Sequence, residues 1–420
     1  MSDIQAGSRF KFLNFHGAYC SFTVIGAPCG AEVSSNFTFS PSTPRKRGQT
    51  AIKPMKLDPN QSPESAPGYT GRLSVQRIQR ATPMPRPKIP ELVCPAGSLP
   101  ALKAAVDHGA DTVYFGYKND TNARNFAGLN FDSKAMLEGV RYAQSRGRHT
   151  LLAINTFPQP GRTADWQRAV DGAADLGVDA VILADVGLLD YAARRHPNLR
   201  LHLSVQGSAT SYEAVNFAQR EFGIRRAVLP RVLTLAQVEA VIQNTSVDIE
   251  IFGFGSLCVM NEGRCWLSSY ATGESPNTVG ACSPAKYVKW EKSPGQMSTR
   301  LNGILIDRYA DGEPAGYPTL CKGRFAVNGE TYYALEEPTS LNVLEILPEI
   351  AQIGVAAIKV EGRQRSPTYV AQVTQTLRAA LDALAADSPH FRVKSAWQAA
   401  LAKVSEGSQA TLGAYNRPWR

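Results

Sequence analysis

Residues 91–115 read ELVCPAGSLPALKAAVDHGADTVYF, and this stretch holds a strand, a helix and a second strand in succession. Glu91 to Cys94 and Thr112 to Phe115 are short strand-like runs. Leu99 to Val106 between them is amphipathic, and Gly109-Ala-Asp marks the helix end, where glycine tolerates a left-handed cap. The same unit recurs downstream. The spacing predicts further strands at Thr150 to Ile154, Ala180 to Ala184, Leu201 to Val205, Ala227 to Leu229, Asp248 to Phe252 and Ala356 to Val360. Helical patterns lie between them, among them Trp166 to Leu176, Tyr212 to Phe222 and Leu235 to Ile242. Alternating strands and helices imply a parallel sheet. Eight such strands imply an α/β fold, a closed (β/α)8 TIM-like barrel, ahead of the doubly wound sheet that periodicity alone also permits.

The first 88 residues break from this pattern. They are rich in Pro, Ser, Thr and Gly, carry the basic run Arg45-Lys46-Arg47, and show no sustained period, so a disordered basic extension is expected over 1–88 and the barrel domain over 89–420. Of the formal charge of +9, this extension carries +8, which leaves the body at about +1. Cys20 and Cys29 lie here among aromatic residues and are expected to be unliganded thiols. The regular pattern starts just after Met84-Pro-Arg-Pro-Lys-Ile-Pro, which makes Met84 a candidate translation start.

Composition excludes several classes. At 420 residues and 43% hydrophobic, the chain can bury a large core. Its longest apolar runs are interrupted by carboxylates and fall short of the ~20 residues a membrane helix needs. Seven cysteines in a chain whose N-terminus lacks a secretory signal pattern point to a reducing, cytoplasmic setting, where grouped thiols serve metals or catalysis more often than disulfides.

About ninety residues, 253–342, separate the seventh strand from its helix, and this insertion follows a strand's C-terminal end, where barrel enzymes place their chemistry. It holds Cys258, Cys265, Cys282 and Cys321, each in a glycine- or proline-rich segment. Four thiolates suit a soft metal or an iron–sulfur cluster. Structural zinc remains open, although its ligands usually come in closer pairs than these, and buried apolar thiols are a blander alternative. Arg264, Lys286 and Lys322 are placed to offset thiolate charge. Cys94, at the end of the first strand, is expected to be a buried thiol.

The run Glu250-Ile-Phe-Gly-Phe-Gly-Ser-Leu-Cys258-Val-Met-Asn-Glu-Gly-Arg-Cys265-Trp-Leu-Ser268 resembles the signature of the collagenase-like peptidase family of unassigned mechanism. Within that family, residues 91–420 are most similar to the branch acting in ubiquinone biosynthesis. The similarity is carried by Cys94-Pro-Ala-Gly-Ser-Leu-Pro, Asp120-Thr-Asn-Ala-Arg-Asn-Phe, Leu267-Ser-Ser-Tyr-Ala-Thr-Gly and Glu361-Gly-Arg-Gln-Arg-Ser-Pro. The resemblance implies a [4Fe-4S] cluster on Cys258, Cys265, Cys282 and Cys321. It also implies a heterodimer with a UbiV-like protein, a UbiT-like lipid-binding accessory protein, and O2-independent ring hydroxylation of a ubiquinone precursor with prephenate as oxygen donor. Nucleic acid is not an expected partner of a body at +1, although an RNA-hydroxylating relative shares the motif, and a non-catalytic scaffold is a further alternative.

Proteolysis is poorly supported, since neither HExxH nor GxSxG occurs. His108, His149 and His196 fall at helix ends or strand starts, where capping or surface roles suit them. No catalytic residue is assigned. Candidates for binding an acidic donor, at the starts of the loops that follow the strands, are Arg124, Asn155, Gln206, Arg231 and Arg363, with Glu361 ending the eighth strand. Arginine's planar fork pairs bidentately with carboxylates.

Overall fold

The computed structural model describes residues 9–13, 19–23, 89–277, 281–407 and 409–417. Eight parallel strands, Glu91–Pro95, Thr112–Gly116, His149–Ile154, Ala180–Leu183, Arg200–Leu203, Arg226–Val228, Asp248–Ser256 and Ala357–Val360, lie side by side in chain order. The eighth strand pairs with both the seventh and the first, so the sheet closes into the expected (β/α)8 barrel.

Strand alternation sorts the side chains into two cores. Leu92, Cys94, Val113, Phe115, Leu152, Ile154, Val181 and Leu183 face outward and pack under the helices. Val93, Tyr114, Leu151, Ala153, Ala180, Ile182 and Ala357 face the barrel axis. Small residues dominate this inner set, and the space they leave holds charged side chains. Lys359 Nζ donates to Glu250 at 2.7 Å, and Arg226 reaches Glu250 at 3.4 Å and Glu91 at 2.7 Å. Such buried charges persist only when mutually paired.

The helices begin where side chains can cap them. Ser98, Asp132, Asp185, Ser211 and Ser366 each accept a backbone N–H of the first turn, and Thr234 with Gln237 forms a capping box. The longest helix, Pro367–Ala386, follows the eighth strand and packs against the first strand and Leu99–Asp107. No helix among the described residues is long and apolar enough to cross a membrane.

Most strand bounds shift by a single residue, and two strands end elsewhere by more than that. Leu201 to Val205 ends early as a strand, because Val205–Gly207 forms a 3-10 turn. The seventh strand runs on through Gly253-Phe-Gly-Ser256 rather than stopping at Phe252, so the insertion proper starts at Leu257. Glycine signalled a loop there, but its purpose is close packing. A Cβ on Gly255, whose φ is +123°, would sit 2.7 Å from Glu361 Cβ. Ser340–Asn342 then pairs antiparallel with this extension and closes the insertion.

The insertion is itself folded. It contains the short helix Leu267–Thr272, a three-stranded antiparallel sheet (Val288–Ser293, Gln296–Leu301, Ile304–Ala310) and a hairpin of Arg324–Val327 with Glu330–Tyr333. Asn302-Gly303 and Asn328-Gly329 form its tight turns, all four at positive φ. Separately, Arg9–Leu13 and Tyr19–Thr23 pair as an antiparallel hairpin within the N-terminal unit, where no strand was expected. The expectation of disorder for the rest of 1–88 lies outside the described residues.

Candidate active site at the barrel mouth

All six polar candidates line one cavity at the C-terminal end of the barrel, with a volume of about 570 Å³ including the part open to solvent. Each is held in place. Asn155 Oδ1 accepts the Ala123 N–H at 3.1 Å and so anchors the loop that carries Arg124. Arg231 Nε donates to Glu262 Oε1 at 2.7 Å, its Nη1 donates to the Ser256 carbonyl, and its guanidinium lies 4.3 Å from the centre of the Phe252 ring. Arg363 Nη1 donates to Asn122 Oδ1 at 2.6 Å. Glu361 accepts Gln364 Nε2 at 2.9 Å. Gln206 Oε1 is buried with no hydrogen-bond partner among the described residues, which leaves an acceptor for a ligand.

Electrostatics set the charge states. Burial works against ionisation of Glu361, but Arg124 and Arg231 outweigh it and hold its pKa below the usual carboxylate range. Burial likewise opposes the charge on Arg231, yet Glu262 keeps its pKa raised. Among the described residues no carboxylate pairs directly with Arg363, and burial brings it down to about 10, still protonated at neutral pH. Four cationic and two carboxylate side chains line the cavity, a setting that favours an anion.

Sequence reasoning missed several of the lining residues, notably Lys359, Glu262, Tyr114 and Ser204. Lys359 forms the floor, 3.8 Å from the centre of the Tyr114 ring and bonded to Glu250 behind it. Burial lowers its pKa. The signal was present: in Ala357-Ile-Lys-Val the lysine shares the inward parity of Ala357.

The four cysteines stand at the same end of the barrel, all as free thiols. Burial is the chief cause that raises the pKa of Cys258, Cys265 and Cys321, and the charge of Cys282 acts on all three. Hydrogen bonds link the segments around them: Asn277 Nδ2 donates to the Cys265 carbonyl at 3.0 Å, and the Tyr317 hydroxyl donates to the carbonyl of Ser283, next to Cys282, at 3.0 Å. As they stand, no three His, Cys, Asp or Glu side chains among the described residues are close enough to hold one metal ion. The surroundings nevertheless fit a sulfur-rich centre in their chemistry. The buried hydroxyls of Ser268, Ser269 and Ser283, close to the cysteines in sequence, have no partner among the described residues, and hydroxyl donors of this kind are what cluster sulfurs accept. Lys322 acts on Cys321 and Arg231 on Cys258 to favour the thiolate. Arg264 and Lys286, expected to share that task, are exposed, and Lys286 pairs with Glu274 instead.

Cavity and cysteines are joined by one segment. Glu262 lies between Cys258 and Cys265 in sequence, and its carboxylate grips Arg231 in the cavity wall. Ser208 Oγ donates to the Glu262 carbonyl. Gly263, at φ +87°, packs so tightly that a Cβ there would meet the Gln206 carbonyl oxygen at 2.0 Å.

The remaining expectations resolve simply. Cys94 is buried under the longest helix, where Thr374 Oγ1 donates to its sulfur at 3.2 Å, and burial pushes it up to about 12. His108 caps a helix through Ala104, His149 pairs with Asp179, and His196 pairs with Asp171. His202, not singled out from sequence, is buried with neither ring nitrogen partnered among the described residues, and burial lowers its pKa well below the usual value.

The fold and site define a (β/α)8 barrel protein whose polar, cation-rich cavity opens at the C-terminal ends of the strands beside a cysteine-bearing insertion. The chain belongs to peptidase family U32, whose family model matches residues 97–417. It is 30% identical to tRNA hydroxylation protein P1 of Bacillus subtilis, over 77% of this chain and 70% of that protein. Similarity to tRNA hydroxylation protein P of Escherichia coli is also 30%, over 71% and 69% of the two chains. It is 30% identical to the 23S rRNA 5-hydroxycytidine C2501 synthase of the same organism, over 70% of this chain and 39% of that one. The chain thus spans about two thirds of the tRNA-hydroxylating relatives and less of the third. Among solved structures, the U32 peptidase Mk0906 aligns with a TM-score of 0.42 at 12% identity, over 70% of this chain and all of that one.

Proposed function

We propose that this chain is a UbiU-type iron–sulfur subunit of an O2-independent hydroxylase, working in the cytoplasm with a UbiV-like partner and a UbiT-like lipid-binding protein on a ubiquinone precursor. The observation that carries the reading is the joining of two sites by one segment. A cavity lined by Arg124, Arg231, Arg363 and Lys359 meets the four-cysteine insertion through the Arg231–Glu262 pair. Hydroxylation is also what the relatives' names describe, of tRNA and of 23S rRNA. A peptidase reading finds no support in the cavity, whose lining among the described residues includes no histidine and no cysteine.

Hydroxylating a carbon–hydrogen bond is a two-electron oxidation, so without O2 another compound must take up the two electrons, and an organic oxygen donor such as prephenate is reduced as it gives up its oxygen. Arg124 and Arg363 are suited to receive the carboxylates of a dicarboxylate such as prephenate, and Gln206 Oε1 to accept its hydroxyl. Lys359 closes the floor with a further positive charge. Arg231, already committed to Glu262, holds the wall rather than the ligand. A [4Fe-4S] cluster on Cys258, Cys265, Cys282 and Cys321 would supply one-electron transfer next to this cavity.

The relatives' names favour a second reading, hydroxylation of RNA, whereas the near-neutral body favours a small substrate. One experiment separates them. A deletion strain grown without oxygen is expected to lose ubiquinone while keeping its hydroxylated tRNA and rRNA nucleosides; the reverse pattern establishes the RNA reading. Iron and sulfide measured on anaerobically purified protein test the cluster. About four irons per chain are expected, falling sharply when any one of the four cysteines becomes alanine. A single zinc in their place sinks the redox reading. The scaffold alternative fails if cluster-free variants still bind the partner yet support no hydroxylation.

A further inference from the structure

No described residue of the C-terminal segment lines the mouth cavity, yet the segment converges on the cysteine insertion. The Glu406 backbone N–H donates to Ser340 Oγ at 2.7 Å, at the insertion's exit. Its carboxylate accepts three hydrogen bonds, each of 3.1 Å: from Ser256 Oγ at the insertion's entry, from the Tyr317 N–H, and from Lys322 Nζ. Lys322 follows Cys321 directly, is only 4% exposed, and also donates to Ser256 Oγ at 2.9 Å. Tyr317 in turn reaches the carbonyl of Ser283, next to Cys282, through its hydroxyl at 3.0 Å. One carboxylate therefore ties together the segments that carry Cys258, Cys282 and Cys321.

Two further contacts fix this segment. Gly407, at φ +73°, sits so close to the chain that a Cβ would lie 1.5 Å from the Pro338 carbonyl oxygen. Arg417 pairs with Glu336 at 2.6 Å, and the Glu336 N–H donates to the Cys321 carbonyl at 3.2 Å.

We propose that Glu406 is a positioning residue for the metal centre: through Ser256, Tyr317 and Lys322 it sets the spacing of three of the four sulfur-bearing loops. The inference rests on the reading of those cysteines as ligands of one inorganic core. Burying an ammonium such as Lys322 is costly without its counter-charge, so removing the carboxylate releases the Cys321 loop in particular.

The test uses the full chain with Glu406→Gln, Glu406→Ala and Tyr317→Phe. In metal-free, reduced protein, trypsin cleavage after Lys322 and alkylation of Cys321 are followed by mass spectrometry. In anaerobically purified protein, iron content and the electron paramagnetic resonance spectrum are recorded. Glu406→Ala is expected to speed cleavage after Lys322 about tenfold, as loss of a charge-assisted bond opens the loop, and to lower iron content and alter the spectrum. Glu406→Gln should do the same more weakly, and Tyr317→Phe should shift the spectrum with little effect on Lys322. Wild-type iron content and spectrum in Glu406→Gln and Tyr317→Phe overturn the proposal, even where Glu406→Ala fails to fold or is cleaved faster. Wild-type protein without iron overturns the cluster reading and this inference together, whereas iron-replete wild type with unaffected variants overturns the role of Glu406 alone.

Discussion

Replacing Arg231 with methionine should cost more stability than replacing Arg231 and Glu262 together. The two side chains are 6% and 7% exposed and meet at 2.7 Å. In Arg231→Met the Glu262 carboxylate stays buried, with only the distant Arg231 backbone N–H, at 3.4 Å, to receive it. Breaking a buried pair from one side typically costs about 3–5 kcal/mol, while replacing both partners by apolar groups is often close to neutral. With a urea m-value of about 3 kcal/mol/M for a chain of this size, the single variant should lose roughly 1 M in its unfolding midpoint. Arg231→Met/Glu262→Leu should recover most of that loss. Urea unfolding, followed by tryptophan fluorescence and by circular dichroism so that coincidence of the two checks two-state behaviour, measures all four corners of the cycle. A single variant within about 0.2 M of wild type, the shift expected of a solvent-screened pair, would refute the argument. So would a double variant as unstable as the single one.

Gly263→Ala forces a Cβ against the Gln206 carbonyl and should destabilise the fold by about 1–3 kcal/mol, as overpacking does, which thermal melting checks. Asp179 accepts from the Thr150 N–H at 2.7 Å and from His149 at 3.0 Å, and although burial raises its pKa these bonds leave it net lowered. Its stabilisation is therefore fully present above its ordinary value of 3.8 and lost as the pH falls through its lower folded value, so Asp179→Asn should flatten the acid limb of the stability curve. Cys94, buried and pushed up to about 12, should resist iodoacetamide at pH 8 in the metal-free folded protein, while exposed Cys282 reacts; mass spectrometry after brief labelling decides it.

The barrel was legible in the sequence because each βα unit announces itself locally. Tyr212–Phe222 has the expected bounds, since Ser211 caps it and Gly223 ends it. The mouth residues were legible for a related reason. Once the strands are placed, the loops that follow them must lie at the C-terminal opening, and the five candidates drawn from loop starts meet there with Glu361 from the end of the eighth strand. Residues inside strands were harder to see. Lys359 and Glu250 sit in runs that read as apolar strands, and only their parity shows that they face the axis. The insertion was the least legible part. Its glycines suggested loops, whereas Gly253 and Gly255 extend a strand, and the Asn-Gly pairs at 302–303 and 328–329, strong hairpin signals, fell within a stretch read for its cysteines alone.

The pairing of Arg231 with Glu262 also bears on why the insertion follows the seventh strand. Ser256, at the end of that strand, gives its carbonyl to Arg231, its N–H to Glu361 and its hydroxyl to Glu406. Arg231 and Glu361 belong to the cavity, and Glu406 to the segment that gathers the cysteine loops. A displacement of the cysteine loops must therefore pull on Ser256, and through it on the wall of the cavity and on the one carboxylate that ends the eighth strand. Arg231 is buried and paired with Glu262, and Glu361 is buried and hydrogen-bonded to Gln364, so neither has a solvated alternative to which it can relax. Changes at the sulfurs should thus register at the cavity as altered affinity for an anionic ligand.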